Sequence, residues 1–312
     1  MKFRTEVDTT KEFDLNPDEK ILTLGSCFAD RMGERLESAG LDCLVNPFGV
    51  IYNPVSISSL LSNSLEPRSS NDNWFEHDER WLNTDYHGSV TAATKAEAMS
   101  TAHMIHENTE AYLQQSSLLI LTLGTAFAYE DKESGKIVSN CHRLPAARFT
   151  RRLLSLEEMI ASFNVFFEQL KKINNKIKIV FTVSPVRHVR DSLVENQQSK
   201  SVLNTLVHHF TGGQNIYYFP SYEIMMDDLR DYRFYEEDLV QPNSQALRYI
   251  NEKFSTFCYS SAMSVYMKDV LKIKKRLSHK VMQQGAEAEQ FMLLTAKSLQ
   301  HFRLKYPFSR IK

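Results

Sequence analysis

Leu22-Thr23-Leu24-Gly25-Ser26-Cys27-Phe28-Ala29 is the stretch on which the reading of this 312-residue chain turns. An apolar run that begins at Ile21 ends on a glycine and a serine. Directly after it, Phe28, Met32, Leu36 and Ala39 fall on one helical stripe that stops at Gly40. A buried strand, a tight turn and an amphipathic helix in that order are how a strand leaves a parallel sheet. The same solution recurs at Leu121-Thr122-Leu123-Gly124-Thr125-Ala126-Phe127-Ala128, identical at six of eight positions. Only ten glycines occur in the chain, so two of them at strand ends carry information. In open α/β sheets, ligands bind outside the carboxyl ends of the strands.

Outward from these two turns, apolar runs alternate with amphipathic ones. Leu118–Leu123, Lys178–Val183 and Asn215–Phe219 read as further strands, the last two closed by Ser184-Pro185 and Pro220. Helices are expected from about Ala93 to Gln115, from the capping box Ser155-x-x-Glu158 to about Ile173, and over Gln245–Phe257. That alternation is the pattern of an α/β fold with a mostly parallel sheet. Residues 62–92 break it. Pro67, Asn71, Asp72, Asn73, Gly88 and both tryptophans, Trp74 and Trp81, suggest a long excursion from the sheet. The segment 259–312 reads as a C-terminal extension of two helices meeting near Gly285.

Charge is balanced overall, 37 Lys+Arg against 38 Asp+Glu, which argues against a nucleic-acid partner. It is not uniform. From Ser261 onward eleven basic residues face three acidic ones, a net of +8, leaving −9 on the first 260 residues. The tail is expected to pack on the acidic body. No uninterrupted apolar stretch is long enough for a membrane span, and the charged N-terminus lacks a signal-peptide core, which points to the cytoplasm. Cys27, Cys43, Cys141 and Cys258 show neither C-x-x-C nor zinc-site spacing, so no metal is expected. Neither G-x-G-x-x-G after a strand nor a Walker A sequence occurs, so no nucleotide cofactor is expected either.

Ser26 has two readings. It can cap the helix, its hydroxyl accepting from a first-turn N–H. It can also be a nucleophile, with Gly25 permitting the turn and the helix N-terminus stabilising an oxyanion. Cys27 could take that role instead if the helix N-terminus lowers its pKa. Adjacent side chains diverge on such a turn, so a Ser26 in the cleft would leave Cys27 facing the core.

Gly25-Ser26-Cys27-Phe28-Ala29 is letter for letter the motif that names the GSCFA family, and the chain resembles that family in several further ordered segments. They are Asn46-Pro47-Phe48-Gly49-Val50 with Tyr52-Asn53-Pro54, Leu123-Gly124-Thr125-Ala126, Asn140-Cys141-His142, Ser184-Pro185-Val186-Arg187-His188, and Phe219 through Asp238. The family is similar to the SGNH/GDSL hydrolases. The resemblance implies a flavodoxin-like three-layer α/β/α domain over residues 1–258, with Ser26 as nucleophile and an Asp-x-x-His pair before the last domain helix. Asp238 occupies the first place of that pair, but Gln241 stands where the histidine would be. A glutamine amide cannot accept a proton near neutral pH. His188 and His142 are the candidates to replace it, each with the alternative of a structural hydrogen bond. Arg187 and Arg190 are expected to disfavour a protonated His188. For the oxyanion hole, the resemblance points to Gly49 as a donor and leaves Asn53, Asn140 or Thr125 to supply the missing asparagine. Asn53 also suits a turn before Pro54.

The function expected is a serine-dependent hydrolase of a small-molecule or glycan acyl ester. The alternatives are an acyltransferase on the same fold, or a binding or scaffold protein that has lost turnover with the histidine.

Overall fold

The computed structural model describes residues 4–66, 73–279 and 286–311. Pro67, Asn71, Asp72 and Gly285 lie outside them. Five parallel strands form the central sheet: β1 (Ile21–Gly25), β2 (Cys43–Val45), β5 (Leu118–Leu123), β9 (Lys178–Val183) and β10 (Ile216–Tyr218). Their spatial order is β2-β1-β5-β9-β10. Counted within the sheet, that is 2-1-3-4-5, the flavodoxin-like order, whose direction reverses between the first strand and the third. The switch point therefore lies between β1 and β5, the two strands that carry the repeated turn. Gly25 pairs with Thr122 there.

Strands buried on both faces read as continuous apolar runs, and these do. Leu22 and Leu24 point to one core, together with Leu119, Leu121, Leu123, Ile179, Phe181 and Val183. Ile21, Leu118, Ile120 and Val180 point to the other. The first core is covered by α2 (Pro54–Leu65), α3 (Lys95–Gln115), α4 (Leu156–Ile173) and α5 (Leu193–Phe210). The second is covered by α1 (Cys27–Ser38), α7 (Ser244–Cys258), α8 (Ser261–Leu277) and part of α9 (Ala286–Lys305), with the short turn α6 (Ser221–Glu223) leading into a helical stretch to Asp228. The result is a three-layer α/β/α fold.

The C-terminal helices share the core of α1. Met263, Tyr266, Val270 and Ile273 recur at helical spacing along α8 and are buried, and Ser260 caps the helix by accepting from Met263 N at 3.0 Å. The Tyr266 hydroxyl donates to Ala39 O at 2.6 Å, and Arg310 pairs with Asp42 at 2.7 Å. Among the described residues, the basic tail thus meets the body through buried apolar and aromatic side chains and the Arg310–Asp42 pair rather than through a charged face.

Two small antiparallel sheets were not expected. Within the excursion, β3 (Trp74–His77) and β4 (Arg80–Asn83) form a hairpin that turns at Asp78 and Glu79, both at positive φ. Beyond β5, β6 (Phe127–Asp131), β7 (Ile137–Val138) and β8 (Phe149–Leu153) pair in the order β7-β6-β8. Among the described residues no helix is long and apolar enough to cross a membrane.

Candidate active site

The turn at the end of β1 is fixed by its neighbours rather than by its own side chains. Gly25 has φ +145, and a Cβ there would lie 2.1 Å from Thr122 O, so only glycine fits. Gly25 N donates to Asn46 Oδ1 at 2.8 Å, and Ser26 N to Thr122 O at 3.0 Å. Asn46 Nδ2 donates in turn to Asp30 on α1, so one asparagine braces both strand end and helix. Gly25 O accepts from Ile51 N at 2.9 Å. The start of α1 is held from both sides at the switch point.

Ser26 is the cap of α1. Its Oγ accepts from Phe28 N at 3.3 Å, and the residue is only 1% exposed. Cys27 is half-buried instead. Its side chain packs against the second core, the one that α1 covers. The helix N-terminus does not lower the thiol pKa. Burial first, and then the Asp30 carboxylate, push the Cys27 thiol up, against smaller opposing effects of its own backbone N–H, Lys200 and Arg31.

Lys200 was not anticipated. It is completely buried on α5, and its Nζ donates to Gly124 O and to Ser184 O, both at 2.8 Å. These carbonyls end β5 and β9, so the amine bridges the carboxyl ends of two central strands. Among the described residues no carboxylate pairs with it. Burial pushes its pKa down to about 7, with Cys27 opposing the shift. The neighbours of Lys200 on α5 serve the same rim. Ser199 Oγ accepts from Ala126 N at 2.7 Å, and Asn196 Oδ1 accepts from His188 N at 2.9 Å. A signal for this did exist in the sequence. Lys200 precedes the buried Leu203 and Val207 by three and seven residues, which places a lysine on the core face of the helix.

His188 lies on the same rim. Its ring stands edge-on to Tyr52, centroids 5.2 Å apart, and its Nε2 is shut off from solvent without a hydrogen-bond partner. Its pKa falls to about 4, because of burial first and Lys200 second. The arginines expected to do this do not: Arg187 stacks over Tyr235 at 4.6 Å and donates to Leu239 O. Tyr52 in turn covers Gly124, where a Cβ would meet its ring at 2.9 Å.

The remaining expected site residues go elsewhere. Asp238 is exposed, and its Oδ1 accepts from Val240 N and Gln241 N at 2.9 Å each, which closes a local turn. Those N–H groups hold its carboxyl below the usual range. Among the described residues no hydrogen bond joins Asp238 or Gln241 to Ser26. His142 is buried against the excursion, its Nε2 2.8 Å from Asn83 O, and burial lowers its pKa. Asn140 Oδ1 accepts from His142 N at 2.9 Å. Asn53 caps α2 by accepting from Ser56 N at 2.8 Å. Gly49 N donates to Asn46 O at 2.7 Å, and Thr125 Oγ1 lies 3.0 Å from Ser199 Oγ. Asn53 Nδ2, which lies 2.9 Å from Ser56 Oγ, Gly49 N and Thr125 Oγ1 therefore already have internal partners.

Beside the rim, a cavity of about 460 Å³ is lined by Arg187, Gln197, Tyr222, Tyr232 and Tyr235 among others. Tyr222 connects it to the rim: its ring lies 5.7 Å from Lys200 Nζ. Among the described residues no group of three or more His, Cys, Asp or Glu is placed to hold a metal ion.

A model described as "GSCFA family" matches residues 20–254. No match is found among curated proteins. Among solved structures, the chain is similar to a carbohydrate esterase family 3 protein from Talaromyces cellulolyticus at 11% identity, covering 81% of this chain and 99% of that one with a TM-score of 0.35. It is similar to an acetyl esterase mutant determined with acetate ion at 12% identity, with 81% and 99% covered and a TM-score of 0.34. An acetyl xylan esterase from the rumen bacterium Butyrivibrio proteoclasticus is 12% identical, with 77% of this chain and 65% of that one covered and a TM-score of 0.38.

Proposed function

The chain belongs to the GSCFA family, and from that membership we propose that it is an acyl-ester hydrolase of the SGNH/GDSL kind whose reacting centre is the turn Gly25-Ser26-Cys27. One observation carries the reading. At the switch point of the sheet, a hydroxyl and a thiol stand at a helix N-terminus beside two buried basic groups, Lys200 and His188. Acyl transfer needs a nucleophile, a proton acceptor and donors for the oxyanion. The turn offers the first, and the start of α1 offers a positive dipole end for the developing charge. Lys200 and His188 offer the second, which removes the need for a base at Gln241. The cavity beyond Tyr222 has room for the alcohol portion of a small ester or sugar.

The acyl group passes to the nucleophile and then to water, or to a second alcohol if the protein is a transferase. The test is turnover of 4-nitrophenyl acetate and of an acetylated monosaccharide, with the double variant Ser26→Ala/Cys27→Ala as control. Loss of about 10³-fold or more in kcat/KM is expected, as when a nucleophile and its base are uncoupled. Equal rates for wild type and double variant would remove the hydrolase reading. The self-contained, exposed turn of Asp238 and Gln241 favours the second reading, a binding protein without turnover. Saturable binding of an acetylated sugar without its hydrolysis would select it.

A further inference from the structure

We infer that the cavity beyond Tyr222 takes an ester whose alcohol part is a carboxylate-bearing sugar, and that Arg187 is the residue that binds the carboxylate. The inference rests on the hydrolase reading and names the substrate class of that same centre.

The cavity stands beside the rim. Its wall includes Tyr222, whose ring lies 5.7 Å from Lys200 Nζ, and Arg187, in the segment that leaves β9. A substrate part held there is bound without taking part in the bonds that form and break.

Arg187 is the charge that this wall leaves open. Its guanidinium lies over the Tyr235 ring at 4.6 Å and the Tyr232 ring at 5.5 Å. Nη2 donates to Leu239 O, and Nε is shut off from solvent without a partner. Among the described residues nothing accepts from Nη1, and no carboxylate pairs with the guanidinium. The other charges of the wall are compensated. Asp227 lies 3.8 Å from Arg230, and Asp231 lies 2.9 Å from Arg233. One guanidinium without a counter-charge is matched by one negative charge. A carboxylate is planar and accepts two parallel N–H bonds from an arginine. A phosphate monoester carries nearly two charges and would meet Asp227 and Asp231 on the same wall.

The remaining groups suit a sugar ring. Tyr232 is 61% exposed, which leaves its ring open for stacking. The Tyr222 hydroxyl donates to Gln197 Oε1 at 2.9 Å, which orients the amide and leaves its NH₂ as a donor for a sugar hydroxyl. An apolar acyl chain in the same space of about 460 Å³ would leave the Arg187 and Gln197 donors unpaired.

The experiment compares mono-O-acetyl galacturonate with mono-O-acetyl galactose, which differ only in a carboxylate against a hydroxymethyl group. Acetate release is measured for wild type, Arg187→Gln and Arg187→Lys, each checked for an intact thermal transition. Wild type is expected to favour the uronate by about 10²-fold in kcat/KM, with the difference in KM, because the carboxylate is bound alike before and during the reaction. In Arg187→Gln the preference falls below about threefold. Arg187→Lys keeps the charge without the fork and falls between the two. A loop disturbed by the substitution slows both sugars and leaves their ratio unchanged, so the ratio separates recognition from folding.

Equal rates on the two sugars in wild type, an unchanged preference in Arg187→Gln, or a stronger preference for an acetylated galactose phosphate overturns the inference. Cleavage of 4-nitrophenyl acetate then leaves the hydrolase reading intact. If wild type turns over no ester, that reading fails on its own, and the site is read by calorimetric titration with galacturonate and galactose. Galacturonate binding about tenfold tighter or more in wild type, with the difference lost in Arg187→Gln, supports the carboxylate site. Equal affinities, or no binding of galacturonate, overturns it.

Discussion

The turn at residues 25–27 and the loop at 236–243 are the two places from which chemistry was expected, and they are built in different ways. In the turn, the Ser26 hydroxyl caps α1 locally, while other groups answer to distant parts of the chain: Gly25 N to Asn46, Ser26 N to Thr122, and the rim carbonyls of Gly124 and Ser184 to Lys200. In the loop, the polar groups answer mostly to one another, with Arg187 reaching Leu239 O from outside. Asp238 bonds the backbone two and three residues on, and Glu236 N donates to Gln241 O at 2.8 Å. Asp238 is in water, whereas Lys200 is out of it. A charge in water costs nothing to keep and gains little from its neighbours, while a buried amine is shifted into the range where it can exchange protons near neutral pH. The contrast puts the buried basic group under the rim and leaves the loop's carboxylate in water.

Three substitutions test that contrast. Gly25→Ala carries the largest expected effect. It places a methyl 2.1 Å from Thr122 O at φ +145, so β1 and β5 must separate at the switch point. A loss of stability of about 3–5 kcal/mol is expected, read from the denaturant midpoint. A loss below about 1 kcal/mol would mean the turn is not held as tightly as described.

Lys200→Met comes next, and its signature is a pH slope. The amine titrates at about 7 in the folded chain and at about 10.4 when unfolded. Between those values the unfolded chain binds more protons, so the lysine's contribution to stability rises with pH. The penalty is complete below about pH 7 and fades toward pH 10. The methionine variant should therefore gain most over wild type at pH 6, with the gain shrinking by at most about 1.4 kcal/mol per pH unit above pH 7. Parallel stability curves for the two proteins would place the amine in a solvated setting.

Asp238→Ala should do least. Its two backbone hydrogen bonds close a turn that is open to water, and the expected change is within about 1 kcal/mol. Hydrolysis by this variant should stay within about fivefold of wild type, the factor that 1 kcal/mol represents. A hundredfold loss would return the loop to the reacting centre and undo the comparison.

The parallel strands were legible because burial on both faces leaves little room for polar residues, and Ile21–Leu24, Leu118–Leu123 and Lys178–Val183 accordingly read as apolar runs. The helices α2 and α5 were not. α2 is rich in serine, and Ser58 and Ser64 are buried with their hydroxyls turned back onto carbonyls of the preceding turn. α5 carries Asn196, Ser199 and Lys200 on its buried side, which blunts the amphipathic stripe. The same polar residues that hid α5 build the rim, so the helix was obscured by what makes it useful. The strands β6, β7 and β8 form a satellite sheet in which Tyr129 and Leu153 remain exposed, and short half-exposed strands leave a weak alternating signal.

By itself, the sequence determined the strand-turn-helix at Gly25, the α/β class and the family. These are written in local patterns of apolar runs, turn glycines and short motifs. Only the tertiary structure decided that Asn46 braces Gly25 and that Lys200 sits under the ends of β5 and β9. Each of those depends on partners far apart in sequence, Lys200 from Gly124 and Asn46 from Gly25. A buried polar group is defined by what satisfies it, and the chain must fold before that partner exists.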